Sequence, residues 1–169
     1  MLQLRFRRIR PLLSVLGLVV VLAACSWGGD TRSVQATEQA VIDAARDAML
    51  AAAKAVGGSQ LKAGVRWSGC PGGVGNQYMG GGVMKAPKGD TSLQLEAIRS
   101  AVVKAGFTDV TQVEGKVSVE RDDINLTMGY RIFDHSWPIS FRSKCYRYFK
   151  AEHQRVKASV YKDIEGLIP

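Results

Sequence analysis

Residues 117–145 read VSVERDDINLTMGYRIFDHSWPISFRSKC, and this stretch carries most of the information on the fold. In three consecutive runs, at 117–119, 124–132 and 139–145, apolar side chains alternate with polar or small ones. A period of two residues is typical of strands that bury one face. Short polar segments separate the runs, so neighbouring runs are expected to pair antiparallel. The last run places Cys145 on the inward face of its strand.

Upstream of this stretch, the chain predicts two further strands and a short third one. Residues 61–67 alternate between apolar and polar, and Cys70 lies just past the end of this strand. A glycine-rich loop leads to a weaker strand at 78–85, and a short strand is expected at 110–113.

Helical spacing of apolar residues appears in two segments, at 31–56 and at 90–105. Gly57-Gly58 ends the first helix, and Asp90, Thr91 or Ser92 caps the second, which stops at Gly106. A short polar helix is expected at 151–164. The order α-β-β-α-β-β-β-β-α predicts an α+β fold, a two-layer sandwich in which helices cover one face of a mainly antiparallel sheet.

The first 24 residues have the features of a secretory signal peptide. Four arginines and no acidic residue precede an apolar run of 13 residues at 12–24. A helix needs about 20 apolar residues to cross the bilayer core, so this run is short for a permanent anchor. Residues 1–24 are therefore expected to be removed on export.

The run ends in Leu22-Ala23-Ala24-Cys25, which resembles the lipobox of bacterial lipoproteins. That resemblance implies cleavage before Cys25, a lipid on its sulfur and a location on the outer face of the cell membrane. Residues 25–33 are then a lipidated cysteine and flexible tether, and 34–169 form a single α+β domain. The alternative is an ordinary secreted protein in which Cys25 merely lies near the cut.

Removal of the leader changes the charge of the chain. The 23 basic and 15 acidic residues of the full sequence become 19 and 15, a net charge of +4. This mild excess gives no reason to expect nucleic-acid binding. The remaining positive charge is concentrated at 142–157, where it suits anionic lipid headgroups or cell-wall polymers, unless it is only a solvated strand face and helix end.

Two cysteines remain beside Cys25, namely Cys70 and Cys145. In an oxidising compartment such a pair is most simply a disulfide. Free or metal-bound thiols are the alternative, although no histidine lies at ligand spacing from either cysteine.

The body of the chain resembles the small LppA-like lipoproteins of actinobacteria. The shared features are the lipobox, a long first helix, Trp67-x-x-Cys70 at a strand end, a middle helix ending in Ala105-Gly106 and a late strand with a second cysteine. The resemblance implies the same fold and the disulfide. It implies no activity.

The residues that usually perform catalysis show no convergent pattern in this sequence. His135 lies between Asp134 and Ser136, but three consecutive side chains diverge and cannot form a triad. His153 lies in a polar helix. Glu120, Asp122 and Asp123 cluster at a hairpin, where calcium binding or acid–base work is the alternative to a solvated turn. The sequence thus predicts no catalytic residue, no metal and no cofactor.

A binding surface is the remaining functional prediction. Aromatic and basic residues, a combination that recognises sugars, anionic polymers or proteins, come together late in the chain: Trp137, Arg142, Lys144, Tyr146, Arg147 and Tyr148. They predict a non-catalytic binding or adaptor module whose partner is an envelope protein or an anionic polymer. The alternatives are a small-ligand or lipid carrier with a cavity between helices and sheet, and an envelope hydrolase.

Overall fold

A computed structural model describes residues 32–167. The predicted signal peptide at 1–24, Cys25 and most of the predicted tether lie outside the described residues. None of the described helices is both long and apolar enough to span a bilayer.

The described residues form helices α1 to α3 and strands β1 to β7. The helices are α1 Val34–Val56, α2 Thr91–Lys104 and α3 Lys150–Lys157. The strands are β1 Ser59–Gly69, β2 Asn76–Lys85, β3 Thr108–Asp109, β4 Lys116–Arg121, β5 Ile124–Gly129, β6 Ser136–Ser143 and β7 Lys162–Asp163.

The strands form one antiparallel sheet in the order β3-β4-β5-β6-β2-β1-β7. Side chains of one phase, such as Val119, Leu126 and Phe141, are buried in a core shared with the helices. This arrangement confirms the predicted α+β fold with helices packed on the sheet. The other face of the sheet carries the polar positions of the alternation.

Helix α1 forms where the alanine-rich pattern predicts it. The Ser33 hydroxyl accepts a hydrogen bond from the backbone amide of Ala36, and Gly57 ends the helix in the left-handed conformation at φ 65°. Small side chains such as Ala44 and Ala48 are fully buried, so the helix lies close to the layer beneath it. Helix α2 is capped by Asp90, whose carboxylate accepts from the amides of Ser92 and Leu93.

Three element boundaries differ from the sequence prediction. Strand β5 ends at Gly129 rather than continuing to residue 132, because Arg131 and Asp134 pair at 2.6 Å and close a turn. The expected strand at 110–113 is replaced by β3 two residues earlier. The last helix stops at Lys157, and the chain then adds β7 to the edge of the sheet beside β1.

The predicted disulfide is confirmed. Cys70 and Cys145 are bonded, with Cα atoms 6.1 Å apart and 75 residues of separation. The expectation that Cys145 faces inward is wrong, since it lies past the end of β6 and is exposed.

A one-residue bulge explains the outward turn of Cys145. Arg142 pairs with Met79, but Tyr146 pairs with Asn76, so four steps on one strand match three on its partner. The extra residue reverses the alternation, which turns Tyr146 inward and Cys145 outward. Strand β2 also lies between β1 and β6, so the disulfide spans the start of β2 rather than joining neighbouring strands.

Candidate functional site

The predicted aromatic–basic surface is divided by the structure. Trp137 and Tyr146 are 0% and 1% exposed, so they belong to the interior, and their assignment to a surface is wrong. Trp137 has the inward phase of β6, and its ring lies 5.2 Å from that of Tyr130. Tyr148 is half-buried. The basic members Arg142, Lys144 and Arg147 are exposed.

Tyr148 belongs to a polar link between the last part of the chain and α1. Its hydroxyl lies 2.8 Å from that of Thr37, one turn into the helix. On the same helix, Glu38 accepts hydrogen bonds from Trp67 Nε1 at 2.8 Å and from Arg155 at 3.1 Å. These contacts join β1 and α3 to α1, which is a structural role.

His135 lies in a turn, with a φ of 50°. Its Nδ1 atom lies 2.7 Å from the hydroxyl of Tyr130. The adjacent Asp134 carboxylate accepts from the Arg131 guanidinium and then from the Ser136 hydroxyl, and both bonds lower the pKa of Asp134. The turn carries Ile132 and Phe133 at its tip, 78% and 88% exposed.

The carboxylates predicted at the β4–β5 hairpin separate from one another. Asp123 accepts from Arg32 at 2.8 Å, Asp122 lies in the turn at φ 57°, and Glu120 lies on the open face of the sheet. Within residues 32–167 no three histidine, cysteine or acidic side chains come together in a way that suits a metal ion.

The open face of the sheet brings polar side chains into register. Ser118, Thr127 and Ser140 are direct partners on β4, β5 and β6, and the first two hydroxyls lie 3.1 Å apart. We call these three residues the hydroxyl row. Because side chains of paired residues point to the same face, the row lies side by side on the surface opposite the helices.

A second line of partners lies two residues further along each strand. We call it the charged row, and it crosses five strands in the order Glu120, Asn125, Arg142, Met79 and Arg66. The two arginines are exposed and the glutamate is partly exposed. None of these three charges forms an ion pair with another described residue.

A short loop segment turns part of this face into a cleft. Val110 donates its amide to the carbonyl of Ser118, and the Thr111 hydroxyl accepts from the Ser118 amide at 2.9 Å. These bonds hold the segment against β4, so Val110 and Gln112 form a wall beside both rows. The resulting open cleft has a volume of about 710 Å³.

An exposed aromatic ring lies on the same face, beyond the hydroxyl row. Gly81 on β2 pairs with Ser140, and Gly64 on β1 pairs with Gly81, so the next two positions have no side chain. The Tyr161 ring lies directly on Gly64, where a Cβ atom would collide with it. Tyr161 remains 60% exposed, so part of its ring surface is open to solvent.

The sequence predicts Arg142 as a binding residue and Glu120 as part of a carboxylate cluster, but it does not point to the other residues of this face. The sequence signal for these residues is the polar half of the alternation, which indicates a solvent-facing side but not which residues meet there. The register between strands, which places Glu120, Asn125 and Arg142 in one line, depends on hairpin lengths and could not be obtained from the pattern alone.

Comparisons of this chain with models of known protein families, with curated proteins and with solved structures find no match.

Proposed function

We propose that this protein is a membrane-anchored lipoprotein of the cell envelope, held on the extracytoplasmic side by lipid on Cys25. In this proposal the folded domain is a non-catalytic binding or adaptor module. Its partner is an envelope protein or an anionic polymer, and nucleic acid is not a ligand.

The Cys70–Cys145 disulfide supports export, because disulfides persist in oxidising compartments and are rare in the reducing cytosol. The lipobox tetrapeptide Leu22-Ala23-Ala24-Cys25 supports the lipid anchor. Two or more acyl chains bind a bilayer firmly, at about 0.8 kcal/mol per buried CH₂ group.

The first described residues support a fixed orientation of the domain. Arg32 forms an ion pair with Asp123 in the β4–β5 turn, at 2.8 Å. Arg32 follows Cys25 by seven positions in the sequence. Since an extended chain spans at most about 3.5 Å per residue, this end of the sheet would lie within roughly 25 Å of the lipid. The Ile132–Phe133 turn lies at the other end of β5.

The observation that carries the binding role is the uncovered cleft on the sheet, where Glu120 and Arg142 lie without ion-pair partners among the described residues. Exposed, unpaired charges in a concave site are available to a ligand. The helices leave this face free, so binding requires no rearrangement of the core.

The test combines intact-mass measurement with crosslinking in the native membrane. We expect the mature protein to begin at Cys25, to carry acyl chains and to sediment with membranes. The Cys25→Ala variant should lose lipid and retention, whereas Ser26→Ala should keep both. Crosslinking followed by mass spectrometry then identifies any protein partner.

Two results would contradict the proposal. Tight membrane retention of Cys25→Ala without lipid would remove the lipoprotein assignment. Turnover of an envelope substrate by the purified protein, abolished by changing one polar residue of the cleft, would replace the binding role by an enzymatic one.

A further inference from the structure

We propose that the open sheet face, comprising the hydroxyl row, the charged row and Tyr161, binds an acidic polysaccharide. This inference rests on the proposed binding role and names its ligand class. The ligand chemistry is a chain of sugar rings that carries carboxylate or phosphate groups.

The two arginines of the charged row supply the recognition of negative charge. Arg66 and Arg142 lie on β1 and β6, on either side of Met79 on β2. Two strand spacings separate their backbones by roughly 10 Å. Both are exposed, and no described carboxylate pairs with either. A guanidinium binds carboxylate or phosphate through two parallel hydrogen bonds, so each arginine can hold one acidic group.

The hydroxyl row supplies the recognition of sugar hydroxyls. A hydroxyl has one donor and two acceptor positions, and Ser118 and Thr127 use one donor and one acceptor between them, so the row keeps the other positions for a ligand. Neighbouring members lie on adjacent strands about 4.8 Å apart. The hydroxyl row lies about 7 Å from the charged row along the strands, because two residues separate them. A polymer lying across the strands would therefore contact hydroxyls on one side and guanidinium groups on the other.

Tyr161 and the glycine pair supply a flat apolar contact on the same line. Gly81 and Gly64 continue the hydroxyl row toward β7 without any side chain, and the Tyr161 ring rests on the second of them. An exposed aromatic ring offers an apolar surface together with a polar hydroxyl. This combination suits a sugar ring, which has an apolar C–H face and polar edges.

The composition of the face favours a polysaccharide over a protein partner. Protein interfaces have cores enriched in large aromatic and apolar side chains, from which charge is depleted. The centre of this face consists of hydroxyl groups and glycine, and its cleft is bordered by charge. Met79 and Val110 add aliphatic contacts to the cleft, and Phe141 is the one aromatic residue among those that line it.

The experiment measures retention of the mature lipidated protein, in detergent, by immobilised polygalacturonate, with dextran as the neutral polymer. We expect retention on polygalacturonate that salt weakens, and little on dextran. The Arg66→Gln/Arg142→Gln variant should bind at least about tenfold more weakly, since each loses a charge-assisted hydrogen-bonding group. The control variant Lys88→Gln/Lys104→Gln also removes two positive charges, one just before α2 and one at its end. It should bind like the wild type.

Two further variants test the assigned contacts. Glu120→Gln removes the one negative charge of the charged row, so it should strengthen binding to polygalacturonate severalfold. Thr127→Ala/Ser140→Ala removes hydroxyls without any change in charge, and it should weaken binding while the salt dependence stays the same. Thermal unfolding of each variant, expected at the wild-type temperature, establishes that the fold is retained.

Several outcomes would overturn the inference. They are absence of retention by polygalacturonate, equal retention by dextran, an equal loss in the lysine control, and a crosslinked protein partner that covers Arg142. The proposed function fails separately, because its test is lipid on Cys25. If the protein carries lipid but does not bind polygalacturonate, the lipid-anchor proposal is retained and only the proposed polysaccharide ligand is rejected.

Discussion

At the scale of single residues, two aromatic side chains predicted on a binding surface have other positions in the structure. Trp137 and Tyr148 stand near basic residues in the sequence, yet one is in the core and the other bonds to Thr37. An amphipathic aromatic side chain suits a surface and an interior equally well. Only its phase on the strand, relative to Ile139 and Phe141, distinguishes the two, and for Trp137 that phase was inward.

Tyr78 gives a prediction at this scale. Burial, and next the nearby charge of Glu38, raise the pKa of Tyr78 from 10.0 to about 12. The unfolded chain therefore releases this proton at lower pH than the folded protein does. The stabilising contribution is complete below pH 10 and is lost as the pH rises toward 12.

We expect the urea midpoint of the wild type to fall as the pH rises from 10.0 toward about 12. The urea midpoint of Tyr78→Phe should fall less over the same pH range, because the substitution removes the titration of Tyr78 and leaves the other tyrosines unchanged. Parallel curves for the two proteins would show that Tyr78 ionises at the same pH in both states.

At the scale of elements, the alternation in the sequence predicted the strands well but not where they end. Apolar periodicity indicates which strands bury side chains, and each of the five longer strands does contain buried positions: β1, β2, β4, β5 and β6. The end of β5 depends instead on the Arg131–Asp134 pair, and the phase of Cys145 depends on the bulge after Arg142. Both are pairings between particular residues, which a period of two does not encode.

The contact between β1 and α1 gives the prediction at this scale. Trp67 Nε1 donates to Glu38 at 2.8 Å, whereas Trp137 Nε1 has no partner among the described residues. Replacement by phenylalanine removes similar volume at both sites, but only Trp67→Phe also breaks a bond to a carboxylate. We expect Trp67→Phe to lower the free energy of unfolding by about 1–2 kcal/mol more than Trp137→Phe.

Urea denaturation of the two tryptophan variants and the wild type measures this difference. Equal losses, or a larger loss for Trp137→Phe, would mean that the link between β1 and α1 contributes no stability beyond packing.

At the scale of the whole molecule, the sequence predicted the α+β architecture from patterns within single segments, and the disulfide from the two cysteines that remain beside Cys25. The residues that share the open face could not be predicted in the same way, because their positions depend on the order of the strands in the sheet. Strand β6 pairs with β2, not with β1, and this order places Arg142 and Arg66 two strands apart. The candidate site thus depends on topology, because its residues come from five strands and from Tyr161 after α3.

The disulfide stabilises the domain by linking two distant parts of the chain. It closes a segment of 75 residues that includes β2, α2 and strands β3 to β6. Restricting a loop of this length in the unfolded chain is worth about 4 kcal/mol in the chain-entropy model. A domain of this size has a total stability of about 5–15 kcal/mol, so this share is large.

We therefore expect Cys70→Ala/Cys145→Ala to lose up to about 4 kcal/mol of unfolding free energy, and reduced wild type to behave like the variant. Urea denaturation with and without reductant measures both losses, and alkylation with mass spectrometry counts the thiols. Two reactive thiols in the folded, untreated protein would refute the bond. If the loss is small while the bond is present, the unfolded chain is already compact across this segment, and the stability of the domain comes from its packed core.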